Sequence, residues 1–425
     1  MKLYPHQVKA LELTNEMNRV AYYLEMGLGK TFVGSEKALS FEEKVILVIC
    51  QKSKVQDWID HFIQEYGIAY LPYNLTKKKD FDDFTFYAGR NDGGLLIGVI
   101  NYDLIFRRKD LLKLENFTLL LDESSIIQNQ KAKRSKFILK MHPKNVILLS
   151  GTPTSGKYEN LWTQIHLLGW NISLNCFNRQ YINWKTIDVA GEPLKVVDKD
   201  DPYKNVDRLK SKLREHGSVF MKSEECFDLP DQTFTDIRVD SSKEYRKFRR
   251  DCYITTSDGI ELIGDTTLTK MLHERQLCGQ YSKEKLQAFT DLVESTQDRL
   301  IVFYNFNDEL YALKKIAEEL ERPVSEVNGH IKDLTAYEEQ TNSITLIQYQ
   351  AGSMGLNLQK ANKMVYFTLP LMSELFEQSK KRIHRIGQHQ PCFYYILTVT
   401  GSIEEDIRSI LEMRKDYTDE LYKNR

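Results

Sequence analysis

The chain has 425 residues, enough for two or three domains at about 150 residues each, and its 41% hydrophobic and 28% charged residues exclude a low-complexity or collagen-like protein. Its 59 basic and 60 acidic residues leave a formal charge of −1, which neither requires nor excludes a nucleic-acid partner, because local clustering decides that. Six scattered cysteines with no C-x-x-C pair argue against a zinc ribbon or a disulfide framework and for a reducing, cytoplasmic setting, while no stretch reaches the about 18 apolar residues of a membrane span.

Short apolar runs at 20–24, 45–49, 95–100, 117–121 and 146–149, and again at 300–304, 344–349, 363–368 and 393–399, predict strands. Many carry Val, Ile, Tyr or Phe and are too short for helices, so they read as buried strands of parallel sheets. Helical patterns lie between them. One follows the first run at 32–39, and Leu313, Ile316, Ala317 and Leu320 fall at i, i+3, i+4 and i+7 on one face of another, with Asn307 placed to cap its start. Residues 191–193 and 198–202 read as loops, and Ser257-Asp258-Gly259 as the turn of a hairpin. The alternation predicts an α/β fold in two blocks with a more helical, irregular middle. The expected boundaries are a first lobe with a helical extension at 1–235, a linker at 236–285 and a second lobe at 286–425. Trp58, Trp162, Trp170 and Trp184 read as packing residues.

Residues 26–31 are Met-Gly-Leu-Gly-Lys-Thr, directly between a strand and a helix. Phosphate binding needs backbone N–H groups that converge at a helix N-terminus, and Gly27 and Gly29 permit such a backbone around Met26 and Leu28. Lys30 would neutralise the β/γ-phosphates and Thr31 would hold Mg2+. Leu24 stands where the strict pattern has glycine. The 117–121 run ends in Asp122-Glu123, where a carboxylate at a strand's C-terminal end suits a metal partner (Asp122) and a water-orienting base (Glu123). Far along the chain, Gln378, Arg382 and Arg385 fall at i, i+4 and i+7, so a helix would project all three from one face toward the charge on a transferring phosphoryl group.

This ordered set resembles the Swi/Snf-like ATPases of helicase superfamily two, in a compact form such as bacteria and bacteriophages carry. Tyr4-Pro5-His6-Gln7 resembles the family's adenine-reading motif, with Gln7 the base contact. Met26–Thr31 is similar to the first motif, Asp122-Glu123 to the second and Ser150-Gly151-Thr152-Pro153 to the third, which couples hydrolysis to movement. Residues 351–358, with Gly355 and Asn357, resemble the fifth, and 382–388 the sixth with its typical Arg-Ile-Gly-Gln ending. The resemblance implies two RecA-like lobes of parallel sheets flanked by helices, ATP in the cleft between them, and DNA as the track. It departs at Ser124-Ser125, where the family commonly has Ala-His and uses the His to bridge to the third motif, and at Leu24, often acidic there. Nothing in the sequence resembles a chromatin-reading module.

Basic clusters at Lys131, Lys133, Arg134, Lys136, Lys140 and Lys144, at 107–109, at 208–214 and at 380–382 are the expected phosphate contacts for a sequence-blind track. The expected activity is therefore a DNA-stimulated ATPase that translocates with ATP and Mg2+, on duplex DNA by preference and single-stranded DNA as the alternative, alongside replication or recombination proteins. A strand-separating DNA or RNA helicase and a nucleotide-gated scaffold without hydrolysis are the rival readings.

Overall fold

The runs of branched apolar residues form strands: β1 (Arg19–Leu24), β2 (Val45–Cys50), β3 (Tyr73–Asn74), β4 (Leu96–Asn101), β5 (Phe117–Asp122) and β6 (Asn145–Leu149). A hairpin of β7 (Trp184–Val189) and β8 (Glu192–Val197) stands apart, and β9 (Ser218–Met221) returns to the sheet. The computed structural model describes residues 2–67, 72–90, 94–189, 191–256, 258–352 and 356–423. Among these, the first sheet has the order β3-β4-β2-β5-β6-β1-β9, with every pairing parallel. The whole of β2, Val-Ile-Leu-Val-Ile-Cys, is buried, which is why no polar residue alternates in it.

The second sheet draws on β10 (Gln232–Val239), β13 (Leu300–Tyr304), β14 (Val324–Val327), β15 (Lys332–Asp333), β16 (Ile344–Gln348), β17 (Lys363–Tyr366) and β18 (Cys392–Val399). Its order is β10-β18-β17-β13-β16-β14-β15, parallel except for the β14–β15 pair. Between β10 and β13, β11 (Tyr253–Thr255) and β12 (Glu261–Ile263) form the expected hairpin, although Ser257 of its turn lies outside the described residues. The fold is thus the α/β architecture that the alternation predicts, two mostly parallel sheets flanked by helices.

The chain divides into one unit of Met1–Cys226 with Asp416–Arg425 and another of Phe227–Lys415. This differs from the expected boundaries. The first unit ends at 226 and not 235, since β10 already pairs with β18 of the second sheet, and 236–285 belongs to the second unit. The last ten residues rejoin the first unit, whose core includes Leu421 and Tyr422. The irregular middle also proves to hold strands, because Glu192 and Pro193, expected in a loop, open β8.

The helix Asn307–Glu319 buries Leu310, Leu313 and Ala317 against the second sheet, as its spacing predicts. Its start is capped differently from expectation. Asn307 is the first helical residue, and the carboxylate of Glu309 turns back to accept the N–H groups of Asn305 at 2.8 Å and Phe306 at 3.1 Å. The same oxygen accepts the Thr368 hydroxyl at 3.0 Å, and burial pushes the Glu309 carboxyl up to about 7.

Candidate active site

In the first unit the phosphate loop leaves β1 at Leu24 and enters the helix Lys30–Ser40. Gly27 and Gly29 hold φ of +87° and +72°, a region that favours glycine, so the turn depends on both. Gly29 is required a second time: a Cβ there would stand 2.2 Å from Gln7 Nε2. Leu28 is buried, Met26 and Thr31 are half-buried, and Thr31 lies in the first turn, where N–H groups have no intrahelical acceptor and the helix end carries partial positive charge. Lys30 Nζ donates to the Leu24 carbonyl at 3.2 Å and lies 3.4 Å from where a Cβ on Gly151 would sit.

The segment before β1 supports this loop from behind. Gln7 accepts the Tyr4 N–H at 2.8 Å and donates to the carbonyls of Leu28 and Gly29 at 3.2 and 3.4 Å. The His6 ring donates to the same Leu28 carbonyl at 3.0 Å. Gln7 is buried, and both ends of its amide hold backbone, while Tyr4 is half exposed with its ring stacked on His6.

Two strands from β1 in the sheet, β5 ends at Asp122, and β6 between them ends beside Ser150. Asp122 Oδ2 accepts the indole N–H of Trp58 at 2.9 Å. Burial pushes the Asp122 carboxyl above its usual range, opposed by the Trp58 hydrogen bond and by the charges of Lys30 and Lys54. Glu123 takes a left-handed backbone, φ +53°, uncommon for a residue with a side chain and costing of the order of 1 kcal/mol. That turn brings its Oε2 to the Ser150 hydroxyl at 3.4 Å, and Ser150 Oγ in turn accepts the Thr152 N–H at 3.2 Å. The buried Thr152 hydroxyl finds no hydrogen-bond partner among the described residues. Gly151 accepts the Tyr422 hydroxyl at 2.8 Å, so the C-terminal segment reaches this turn.

The second unit departs from the helical reading of its arginines. The helix Ser373–Lys380 stops before them and carries only Gln378, whose amide donates to Glu374 at 3.2 Å. The next residues turn inward. Lys380 to His384 are all buried in succession, which no single helical face permits. The Lys380 carbonyl accepts both the His384 N–H and the Tyr394 hydroxyl, while the Arg382 carbonyl accepts the Leu358 N–H from another segment. Arg382 is 3% exposed and donates to the Leu356 carbonyl at 3.3 Å, tying the 356–358 segment to the turn. Arg385 is half-buried, burial lowers its pKa, and its guanidinium makes no hydrogen bond or ion pair among the described residues. Asn357 is exposed, and Gly355 lies outside the described residues.

The basic clusters sort by burial. Lys380, Lys381 and Arg382 are buried, with Lys380 paired to Glu377, and so do not form the expected surface patch. Lys210 is buried against Glu420. Lys131, Lys133, Lys136 and Lys140 are exposed, as are Arg107 and Lys109, whereas Arg134 pairs with Asp103 and Lys144 with Glu43.

Two residues of this neighbourhood escaped the sequence reading. Trp58 is buried as expected of a packing residue, but its N–H serves Asp122. Gln164 is fully buried beside the Asp122–Ser124 turn. The signal for Gln164 was present: Leu161, Gln164, Ile165 and Leu168 share the apolar face of a helical spacing, and an amide at such a position needs partners.

A parallel sheet that presents a glycine-rich loop, a lysine at a helix N-terminus and an Asp-Glu pair along one edge defines a phosphate-loop α/β unit. A model of the SNF2-related domain matches residues 19–283, and one of the helicase conserved C-terminal domain matches 284–387. The chain belongs to the SNF2-related family. Among curated relatives, YwqA of Bacillus subtilis is 23% identical over 94% of this chain and 46% of its own length. The uncharacterized ATP-dependent helicase YqhH of the same organism is 22% identical over 96% and 77%, and the ISWI chromatin-remodeling complex ATPase ISW1 of Saccharomyces cerevisiae is 22% identical over 98% and 40%. The chain therefore spans less than half of YwqA and of ISW1. A solved structure of the Sulfolobus solfataricus SWI2/SNF2 ATPase core in complex with dsDNA is similar at 19% identity, with a TM-score of 0.45, over 99% of this chain and 92% of that one.

Proposed function

We propose that this chain hydrolyses ATP with Mg2+ when it engages DNA, and that the cycle drives movement along the duplex. The observation that carries the reading is the convergence of Lys30, Asp122 and the Glu123–Ser150 pair at the C-terminal ends of adjacent strands of one parallel sheet. Membership in the SNF2-related family and relatives named as ATP-dependent helicases support it.

In this reading the loop at 26–31 cradles the phosphates through its N–H groups, and Lys30 neutralises their outer oxygens. Thr31 and Asp122 would hold magnesium. A hard cation prefers oxygen ligands, and a carboxylate that burial pushes upward gains from one beside it. When bound, the ion neutralises charge that develops on the phosphoryl oxygens. Glu123, fastened by Ser150, orients the attacking water, with the neighbouring Thr152 hydroxyl available to it. Arg385 is the cation assigned to the transferring phosphoryl group, because its half-buried guanidinium lacks a protein partner among the described residues. Arg382 supports the 356–358 segment instead.

The test is phosphate release with duplex DNA, single-stranded DNA and RNA as activators. Duplex DNA should stimulate most, and Lys30→Ala should abolish the stimulation. Phosphate release absent with every nucleic acid would leave the scaffold reading. A fluorescent duplex opened by the chain alone would make it a strand-separating helicase, and RNA as the strongest activator would change the track.

A further inference from the structure

The pair Ser124-Ser125 stands where the resembling family places the His that links its second and third motifs. In this chain another side chain makes that link. Gln164, on the helix Trp162–Leu167, is fully buried and uses both ends of its amide. Its Oε1 accepts the Ser124 hydroxyl at 2.8 Å and the Tyr23 hydroxyl at 3.1 Å, and its Nε2 donates to the Pro153 carbonyl at 2.7 Å. The carbonyl of Pro153 can only accept, so the Nε2 end of the amide must face it, and the two hydroxyls donate to Oε1.

These bonds close a ring. From Glu123 the backbone leads to Ser124, whose side chain reaches Gln164; Gln164 reaches Pro153; the backbone leads back to Thr152, whose N–H binds Ser150 Oγ; and Ser150 returns to Glu123 Oε2. Neither turn can shift without breaking a buried bond in this ring, and a buried polar network fully satisfied holds its members in one arrangement. The Gln164 amide accepts from one turn and donates to the other.

We propose that Gln164 is a positioning residue: it locks the Glu123–Ser124 turn to the Thr152–Pro153 turn, in place of the His, so that Glu123 holds its place over the reacting phosphate. This rests on the reading of the site as an ATPase. It acts through Glu123 and Ser150 and touches no substrate. Displacing a catalytic group by about 1 Å costs on the order of a hundredfold in rate, so the loss should appear in kcat and not in nucleotide affinity.

The experiment compares Gln164→Met, Ser124→Ala, their double variant and Tyr23→Phe. Tyr23→Phe removes a buried bond of the same kind from Gln164 that lies outside the ring, and so serves as the control. Two readouts are taken: steady-state phosphate release with saturating duplex DNA, and amide hydrogen exchange at 123–125 and 150–154. Gln164→Met should lower kcat by about 10- to 100-fold with KM for ATP within about twofold. Ser124→Ala should lower kcat by a smaller factor, the double variant should match Gln164→Met, and Tyr23→Phe should keep the wild-type kcat. Ser124→Ala, which is the milder change, should speed exchange in both turns at once. Equal kcat for Ser124→Ala and Tyr23→Phe overturns the proposal, as do multiplying effects in the double variant or faster exchange confined to one turn. A wild type that releases no phosphate overturns the ATPase reading, while the exchange result still decides whether Gln164 joins the turns.

Discussion

Trp58→Phe tests what the indole N–H does for the charge of Asp122. The substitution leaves an aromatic ring against His61 and Phe62 but removes the N–H that reaches Asp122 Oδ2 at 2.9 Å. A hydrogen bond to a charged group contributes about 1.5–3 kcal/mol. The donor favours the ionised carboxylate only, so its loss raises the Asp122 pKa, at 1.36 kcal/mol per pH unit, by about one to two units. Burial already pushes that carboxyl upward, and Lys30 and Lys54 remain as the opposing charges. A proton then competes with magnesium over a higher pH range. The expected outcome is an acid limb of kcat/KM moved up by about one to two pH units, recovery toward the alkaline end, and a higher magnesium requirement. The assay is phosphate release from pH 6 to 9.5 under saturating duplex DNA, with magnesium titrated at each pH. An acid limb and a magnesium dependence that superpose on the wild type would refute the reasoning, because the hydrogen bond would then have no bearing on the charge of Asp122.

Arg385→Ala should cut turnover by about a thousandfold or more with little change in ATP binding, whereas Arg382→Ala should chiefly lower the melting temperature, since its guanidinium holds the Leu356 carbonyl from a buried position; paired rate and melting measurements separate the two. Replacing exposed Lys133 and Lys136 by Ala should weaken duplex binding alike across sequences and reduce the slope of log affinity against log salt by up to about 2, and an unchanged slope would remove that face from the DNA footprint. Glu309 is protonated more readily folded than unfolded, its carboxyl pushed up to about 7 by burial. The native state therefore binds the extra proton, so stability falls as pH rises from the ordinary glutamate range through about 7, by roughly 3 kcal/mol in total. Glu309→Gln should flatten that dependence in melting curves between pH 5 and pH 8, and a dependence as steep as the wild type's would refute it.

The first sheet was legible in its strands because β2, β5 and β6 are apolar on both faces, and only strands covered on both sides carry so continuous a pattern. Strands β9 and β10 were not, since each lies at a sheet edge and β10 is exposed along most of its length. The glycine turn at 26–31 and the strand end at Asp122 were legible because a few neighbouring residues determine each. Spacing predicts a helix through the arginines because it cannot tell that the Arg382 carbonyl is taken by Leu358 N–H of another segment. Trp58 and Gln164 fell outside the candidate set for the same reason, since each bonds a residue 40 or more positions away.

Because residues 416–425 complete a unit that otherwise ends at Cys226, the amino-terminal body is assembled from two stretches that synthesis separates by the whole of the other one. While the ribosome is still making Phe227–Lys415, the places that Leu421 and Tyr422 fill stay open to solvent, and Gly151 lacks the hydroxyl that will reach it. Maturation of the amino-terminal body thus has a built-in order: its own closing piece is translated only after its companion.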